Sequence, residues 1–321
     1  MNRSLNIFTI CSYSNLNQAV VLYNSILKNS SINFTFYCYL IDDFKGTKSI
    51  NLESFVLINS TELSTQIVEF NEMKTRYNPF ELCCALKPYC AAHLIAKSQP
   101  DALTVYLDSD IYFYSDPIAI INEIGTNSIL LTPHFISPPT DFIKISELDI
   151  NNSGLYNGGF FAVSNSVETD QFLSWWMIRM INYCKVDFIN GQFVDQIWLN
   201  FVPLYFNKVK ILKHLGFNFA YWNFHERLLS KNSDSLFTIN ATQPLVFFHF
   251  SGYRLYRKDL ISIHQDKFKF DDLPEIRQLF NDYANELEHN SIKLNLPNHE
   301  GSNSTKLKGK LKSYFQKKNN Y

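Results

Sequence analysis

The segment from Leu5 to Ile41 switches between two hydrophobic periods, and that switch restricts the fold more than any other feature of the chain. Leu5 to Ile10 is a short apolar run, the pattern of a buried strand. From Gln18 to Leu27 the apolar positions Ala19, Val20, Leu22, Tyr23, Ile26 and Leu27 recur at helical spacing. Phe34 to Ile41 is a second strand and ends in Asp42-Asp43. A βαβ opening implies a parallel sheet whose ligand-binding loops lie at the carboxyl ends of its strands, which puts Cys11 to Asn15 at a binding edge. With 321 residues, 46% of them hydrophobic, the chain has apolar side chains enough for one large α/β domain with additions.

Beyond this opening, the pattern predicts a third strand at Phe55 to Ile58 and a helix from Thr61 to Met73. A further helix starts at Asn78-Pro79 and runs to Ala96, with Pro88 expected to kink or restart it. The strand Ala102 to Leu107 follows. Asp116 reads as the N-cap of a short helix to Ile124, with Pro117 at its first position. Ser128 to Thr132 is a strand, and Pro133 to Ser153 a long loop of the kind that usually binds or covers ligands. Leu155 to Ser164 is a turn feeding a strand, and Val167 to Cys184 a helix. Gly191 to Val202 is expected to be helical. Short strands follow at Val209 to Leu212 and Leu245 to Phe250, then a helix from Pro274 to Glu288.

A net charge of −1 and a pI near 6.7 argue against a nucleic-acid partner held by bulk electrostatics. The six cysteines, Cys11, Cys38, Cys83, Cys84, Cys90 and Cys184, lack C-x-x-C or zinc-type spacing and read as buried thiols of a reducing compartment. With no signal-peptide core and no apolar stretch long enough to span a membrane, the protein is expected in the cytoplasm. From Gly301 to Tyr321 there is no acidic residue, and Lys306, Lys308, Lys310, Lys312, Lys317 and Lys318 are interleaved with Leu307, Leu311, Tyr314 and Phe315. This segment reads either as a solubilising end or as a cationic contact to the inner membrane face. The expected division is a catalytic domain over residues 1–290 and a basic, flexible tail over residues 291–321.

Four constellations carry chemistry. In "TVYLDSDIYFYSDP" the apolar strand ends in Asp108-Ser109-Asp110. Such carboxylates form either a solvated turn or a grip on a hard divalent cation, because charge beside a core needs neutralising. In "PLVFFHFSGY", His249 sits in an intensely apolar strand, as a satisfied core histidine or as a nitrogen ligand. Together, Asp108, Asp110 and His249 make a mixed oxygen and nitrogen set that suits Mn²⁺ somewhat better than Mg²⁺. In "YNGGFF", Asn157 offers amide groups while Gly158 and Gly159 allow positive φ and close approach of backbone to a ligand; a plain glycine turn is the other reading. Asp195-Gln196 is either a hydrogen-bonding pair for a polar substrate or a solvated helix face. No P-loop, Rossmann dinucleotide, serine-hydrolase or zincin motif occurs.

In this order, the βαβ opening, "ALKPY", Asp-Ser-Asp, Asn-Gly-Gly, Asp-Gln and H-x-x-G resemble the nucleotide-sugar glycosyltransferases of the A-type fold, most closely the retaining family 8 enzymes and their bacterial relatives. The resemblance spans Leu5 to Tyr253. It implies an α/β fold with a Rossmann-like mixed sheet flanked by helices. It implies Asp108, Asp110 and His249 as ligands of Mn²⁺ (or Mg²⁺), with Ser251 and Gly252 near the donor diphosphate. It further implies that Asn157, Gly158 and Gly159 line the sugar pocket, that Asp195 and Gln196 approach the reacting sugar as catalytic residues, and that Lys87 reaches the donor. Thr9, Cys11, Ser12 and Ser109 are expected on the nucleotide side. The family's late motif usually continues to Lys-Pro-Trp; here "GYRLYRKDL" follows, leaving Arg254, Arg257 or Lys258 to face the phosphates. The aromatic stretch Phe219 to Arg227 is assigned to the acceptor side.

The implied activity is transfer of a hexose, with retention, from a nucleotide-diphosphate sugar, expected to be UDP-linked, to a saccharide or lipid-linked saccharide acceptor in surface glycan synthesis. A nucleotidyltransferase of the same architecture would need a glycine-rich loop after the first strand, and "CSYSNLNQ" has no glycine. A non-catalytic sugar-binding protein on this fold would be expected to have lost the metal carboxylates.

Overall fold

The protein is described from a computed structural model covering residues 3–43, 52–139 and 145–294. The first half of the chain runs β1 (Leu5–Cys11), α1 (Leu16–Asn29), β2 (Phe34–Leu40), β3 (Phe55–Ile58), α2 (Ser60–Gln66), α3 (Phe70–Arg76), α4 (Pro79–Lys97), β4 (Leu103–Leu107), β5 (Ile111–Phe113), α5 (Ile118–Ile124) and β6 (Ile129–Pro133). Then come α6 (Glu147–Ser153), β7 (Tyr156–Ser164), α7 (Val167–Tyr183), β8 (Val186–Asp187), β9 (Gln192–Phe193), α8 (Val202–Tyr205), β10 (Val209–Ile211), β11 (Leu229–Lys231), β12 (Phe237–Ile239), β13 (Gln243–Pro244), β14 (Phe247–His249) and α9 (Arg277–Lys293).

Seven strands form the main sheet in the order β10-β6-β7-β4-β1-β2-β3. All neighbours are parallel except β7, which lies antiparallel to both β4 and β6. The sheet is therefore mixed rather than purely parallel as the βαβ opening suggests, because β7 returns from a long excursion and enters between two strands already set. Its sequence, YNGGFFAVS, is buried along nearly its whole length, since helices cover both faces and alternation is not required. One apolar layer packs α2, α3, α4 and α7 on one face, and a second packs α1 and α5 on the other. A third, made of β11 to β14 with α9, covers the edge near β5.

Several elements depart from the sequence pattern. The helix expected over Thr61 to Met73 is two, broken where Ile67 takes an extended conformation and caps α2. In α4 the helix runs unbroken through Pro88; residues from Leu82 to Ala91 are buried almost throughout, so packing offsets the missing backbone hydrogen bond. Its start is a capping box, with Asn78 Oδ1 accepting from the Glu81 amide at 3.0 Å and Glu81 Oε2 from the Asn78 amide at 3.2 Å. Asp116 does bond the first helical amide, Ile118 N at 2.9 Å, but Pro117 occupies the cap position. The long loop holds α6. α9 extends to Lys293, three residues past the expected domain boundary at 290. The basic segment Lys306 to Lys318 lies outside the described residues.

The stretch Gly191 to Val202 is not a helix from its start. Gly191 turns a two-stranded hairpin, β8 with β9, through φ +68°; Val194 then takes φ +42°, a left-handed backbone that branched residues adopt rarely. Only from Gln196 to Phe201 does a 3-10 turn form. This detour turns Asp195 inward, where it is 1% exposed, instead of setting it on a solvated helix face.

Candidate active site

Why Asp108, Asp110 and His249 meet follows from strand pairing. β4 delivers Asp108 at the carboxyl end of the sheet, and after a turn β5 starts at Ile111. β14 pairs antiparallel with β5 so that His249 stands opposite Ile111, and the Phe250 amide donates to the Asp110 carbonyl at 2.8 Å. The imidazole Nε2 then lies 3.0 Å from Asp110 Oδ1 and 3.7 Å from Asp108 Oδ2. One ligand atom from each residue falls within 4.8 Å of the others. This set of two carboxylates and one imidazole fits a divalent cation such as Mn²⁺.

The floor of the cluster is the Asn157-Gly158-Gly159 end of β7. A Cβ on Gly159 would stand 2.4 Å from His249 Cε1 and 2.8 Å from Asp108 Oδ2; one on Gly158 would stand 2.8 Å from Asp195 Oδ2. Both glycines lie in strand β7 and neither has a positive φ, so their use here is close approach. The Asp108 amide donates to the Gly159 carbonyl at 2.8 Å, tying the carboxylate strand to this floor.

Lys87, 3% exposed, reaches in from α4. Its Nζ is 2.9 Å from Asp195 Oδ2 and 3.8 Å from Asp108 Oδ1, donates to the Gly158 carbonyl at 2.9 Å, and lies 4.7 Å over the Tyr106 ring. Burial alone would lower the Lys87 pKa, but Asp195 and Asp108 raise it above its ordinary value, so the ammonium stays protonated. Burial pushes the Asp195 carboxyl up while Lys87 opposes it. Burial would also raise Asp110, yet His249 and then Arg254 hold it below the ordinary carboxylate range. His249 is pushed down by burial and up, more strongly, by Asp110 and Asp108.

Beside this charge cluster is a neutral polar wall. Gln196 Oε1 accepts from the Gly158 amide at 2.8 Å and from Asn157 Nδ2 at 3.3 Å, while its Nε2 donates to the Ser153 carbonyl at 2.9 Å. Asn157 Oδ1 accepts from the Gly159 amide at 3.1 Å. Asn157 Nδ2 also lies 3.2 Å from His134 Nε2. His134 is buried, and that burial lowers its pKa to about 4, leaving a neutral ring that accepts this hydrogen bond.

The structure thus brings together Lys87, Asp108, Asp110, Asn157, Gly158, Gly159, Asp195, Gln196 and His249. Ser109 turns toward Gln18, its Oγ 3.2 Å from Oε1. Ser251 and Gly252 follow His249 in a turn closed by the Tyr253 amide on the Phe250 carbonyl, with Gly252 at φ +75°. Of the three late cations, Arg257 pairs with Asp259 and Lys258 with Glu288, whereas Arg254 acts on Asp110. On the nucleotide side, Thr9 is fully buried within β1 and Cys11 is buried with its Sγ 3.7 Å from that of Cys38, so Ser12 alone of that trio has exposed surface. All six cysteines are free.

Residues that the sequence pattern did not single out complete the site. Tyr106 donates its hydroxyl to Asp108 Oδ1 at 2.5 Å. Trp222 meets the His249 ring edge-on, with centroids 5.2 Å apart. The stretch expected on the acceptor side therefore runs, at Trp222 and Asn223, directly behind the candidate metal ligands. The sequence signal for that stretch is its mixture of aromatic and polar residues over Phe219 to Arg227.

No family model matches the chain. Among solved structures it is similar to the apo form of the bifunctional glycosyltransferase WbbM, with a TM-score of 0.54 and 11% identity over 92% of this chain and 51% of that one. It is also similar to the galactosyltransferase LgtC in complex with donor and acceptor sugar analogues, with a TM-score of 0.50 and 15% identity over 87% of this chain and 95% of that one. A third likeness is to the glycosyltransferase GlyE of Streptococcus pneumoniae TIGR4, with a TM-score of 0.50 over 92% of this chain and 63% of that one. The chain has the A-type glycosyltransferase fold. In sequence it is 26% identical to the uncharacterized Bacillus subtilis (strain 168) protein YfnF over 85% of this chain and 89% of that protein. It is 30% identical to YfnD of the same organism over 58% of each. The chain thus spans about half the length of WbbM and under two thirds of YfnD.

Proposed function

We propose that the protein is a metal-dependent glycosyltransferase that moves a hexose from a nucleotide-diphosphate sugar, UDP-linked, to a saccharide or lipid-linked saccharide acceptor with retention of configuration, in surface glycan synthesis. The observation that carries the reading is the convergence of Asp108, Asp110 and His249 against the Asn157-Gly158-Gly159 floor on this fold. Asp108, Asp110 and His249 would hold Mn²⁺ (or Mg²⁺), which when bound stabilises negative charge on a departing diphosphate oxygen. Ser251, Gly252 and Arg254, which follow His249 in the chain, would be the groups to face a diphosphate. Asn157, Gly158 and Gly159 form the sugar wall, held in register by Gln196, whose amide is committed on both sides to Gly158 and Ser153. Lys87 supplies a fixed positive charge beside that wall.

Retention is favoured over inversion by the state of Asp195. An inverting enzyme needs a carboxylate in reach of the acceptor hydroxyl. Asp195 is 1% exposed and ion-paired to Lys87, which suits it to hold the wall and keeps it out of reach of an acceptor hydroxyl. The turn after β1 carries no glycine, against a nucleotidyltransferase, and the retained carboxylates and histidine speak against a non-catalytic binder. Among the described residues no helix is long and apolar enough to cross a membrane. A peripheral, cytoplasmic-face location through the basic segment predicts that deleting Gly301 to Tyr321 releases the protein from anionic vesicles, and unchanged sedimentation refutes it.

The test is a thermal-shift panel of UDP-, GDP-, ADP- and CDP-sugars with and without Mn²⁺, on the wild type and Asp110→Asn. One donor should stabilise the wild type only with metal, by about 2.7 kcal/mol at 100 times its Kd, and Asp110→Asn should lose that increment. A panel with no metal-dependent shift, or one unchanged by Asp110→Asn, overturns the reading.

A further inference from the structure

We infer that Asn218 is a positioning residue that fixes the tautomer of His249 and so makes its Nε2 available to a cation; this rests on the metal-dependent reading above. Asn218 is fully buried, with its backbone at φ +53°, a left-handed conformation that asparagine tolerates. The turn is locked on both sides. The Asn218 carbonyl and the His134 carbonyl each accept from Asn223 Nδ2 at 2.9 Å, and Asn223 Oδ1 accepts from the Ala220 amide at 3.0 Å. The next residue, Phe219, is laddered onto β14: its amide donates to the Phe247 carbonyl at 3.2 Å and its carbonyl accepts from the His249 amide at 2.8 Å. These bonds hold the Asn218 side chain opposite the imidazole, with Oδ1 3.2 Å from His249 Nδ1.

An amide oxygen only accepts, so this contact requires the proton on Nδ1. Nε2 faces the space shared with Asp108 and Asp110, where without a cation it donates to Asp110 Oδ1 3.0 Å away; a cation displaces that proton while Nδ1 keeps its own. The opposite amide orientation would leave a neutral ring with its proton on Nε2, the one arrangement that cannot ligate. Keeping the oxygen toward His249 leaves Asn218 Nδ2 buried with no hydrogen-bond partner. Trp222, edge-on to the same ring, blocks rotation. Histidine ligands commonly donate their second nitrogen to such an acceptor, and its loss weakens metal binding.

The test uses the full-length protein and two variants compatible with the left-handed backbone. Asn218→Gly removes the acceptor without backbone strain; Asn218→Asp keeps an oxygen at the same place. Mn²⁺ binding, followed by the EPR signal of the free ion, should weaken roughly 10- to 100-fold in Asn218→Gly and stay within a few-fold of wild type in Asn218→Asp. Wild-type affinity in a folded Asn218→Gly overturns the inference alone, as does equal loss in both folded variants. Absence of Mn²⁺ binding by the wild type overturns both this inference and the proposed function.

Discussion

Lys87 is the residue on which the site's electrostatics turn, because it is buried and flanked by Asp195 and Asp108. Breaking a buried ion pair from one side leaves an uncompensated charge, at about 3–5 kcal/mol. Lys87→Met should therefore destabilise the protein by about that amount in urea denaturation, and adding Asp195→Asn should recover much of it; a single variant as stable as wild type contradicts the pairing. His134 gives the pH dependence. Its folded pKa, about 4, lies below the unfolded value of about 6.5, so the unfolded state takes up its proton first. The stability this histidine contributes is present above pH about 6.5 and is lost as the pH falls toward 4. His134→Gln should flatten that acid limb, by on the order of 3 kcal/mol, in denaturation curves compared across this range. At this scale the sequence announced the strand-end carboxylates and His249, whose polarity contrasts with the apolar runs around them. It did not announce His134, Asn218 or Trp222, because their roles are created by tertiary neighbours far away in the chain.

The elements show where local chemistry suffices and where it does not. α4 was legible from Asn78-Pro79, whose capping box forms as the pattern predicts. Glu81 does more than cap, since its Oε1 also accepts from the Val186 amide at 3.1 Å and so anchors the hairpin ahead of Asp195. Asn78→Ala should cost about 1 kcal/mol, and Glu81→Ala more, because it also strands the Val186 amide. Equal losses in chemical denaturation would mean that the Val186 contact contributes nothing. The stretch after Gly191 was misread as helix because its apolar spacing fits one. What decides its path is the hairpin register, Val186 with Phe193 and Asp187 with Gln192, which no window within 191–202 contains.

Over the whole molecule, the βαβ opening disclosed the α/β class, and only the resemblance anticipated a mixed sheet, since the direction of β7 depends on where its strand is inserted. The candidate metal ligands bridge two layers: Asp108 and Asp110 follow the main sheet, while His249 belongs to β14 under α9. Mn²⁺ should therefore slow amide hydrogen exchange in residues 247–253 and 108–113 while leaving α1 and β2 unaffected, and EDTA should reverse this. Uniform slowing across the chain would argue against a local staple. The hydrogen bond from the Asp108 amide to the Gly159 carbonyl gives the arrangement one more property. On the proposed function, cation affinity and sugar choice share a single rung of backbone, and changes to β7 are expected to alter both traits at once.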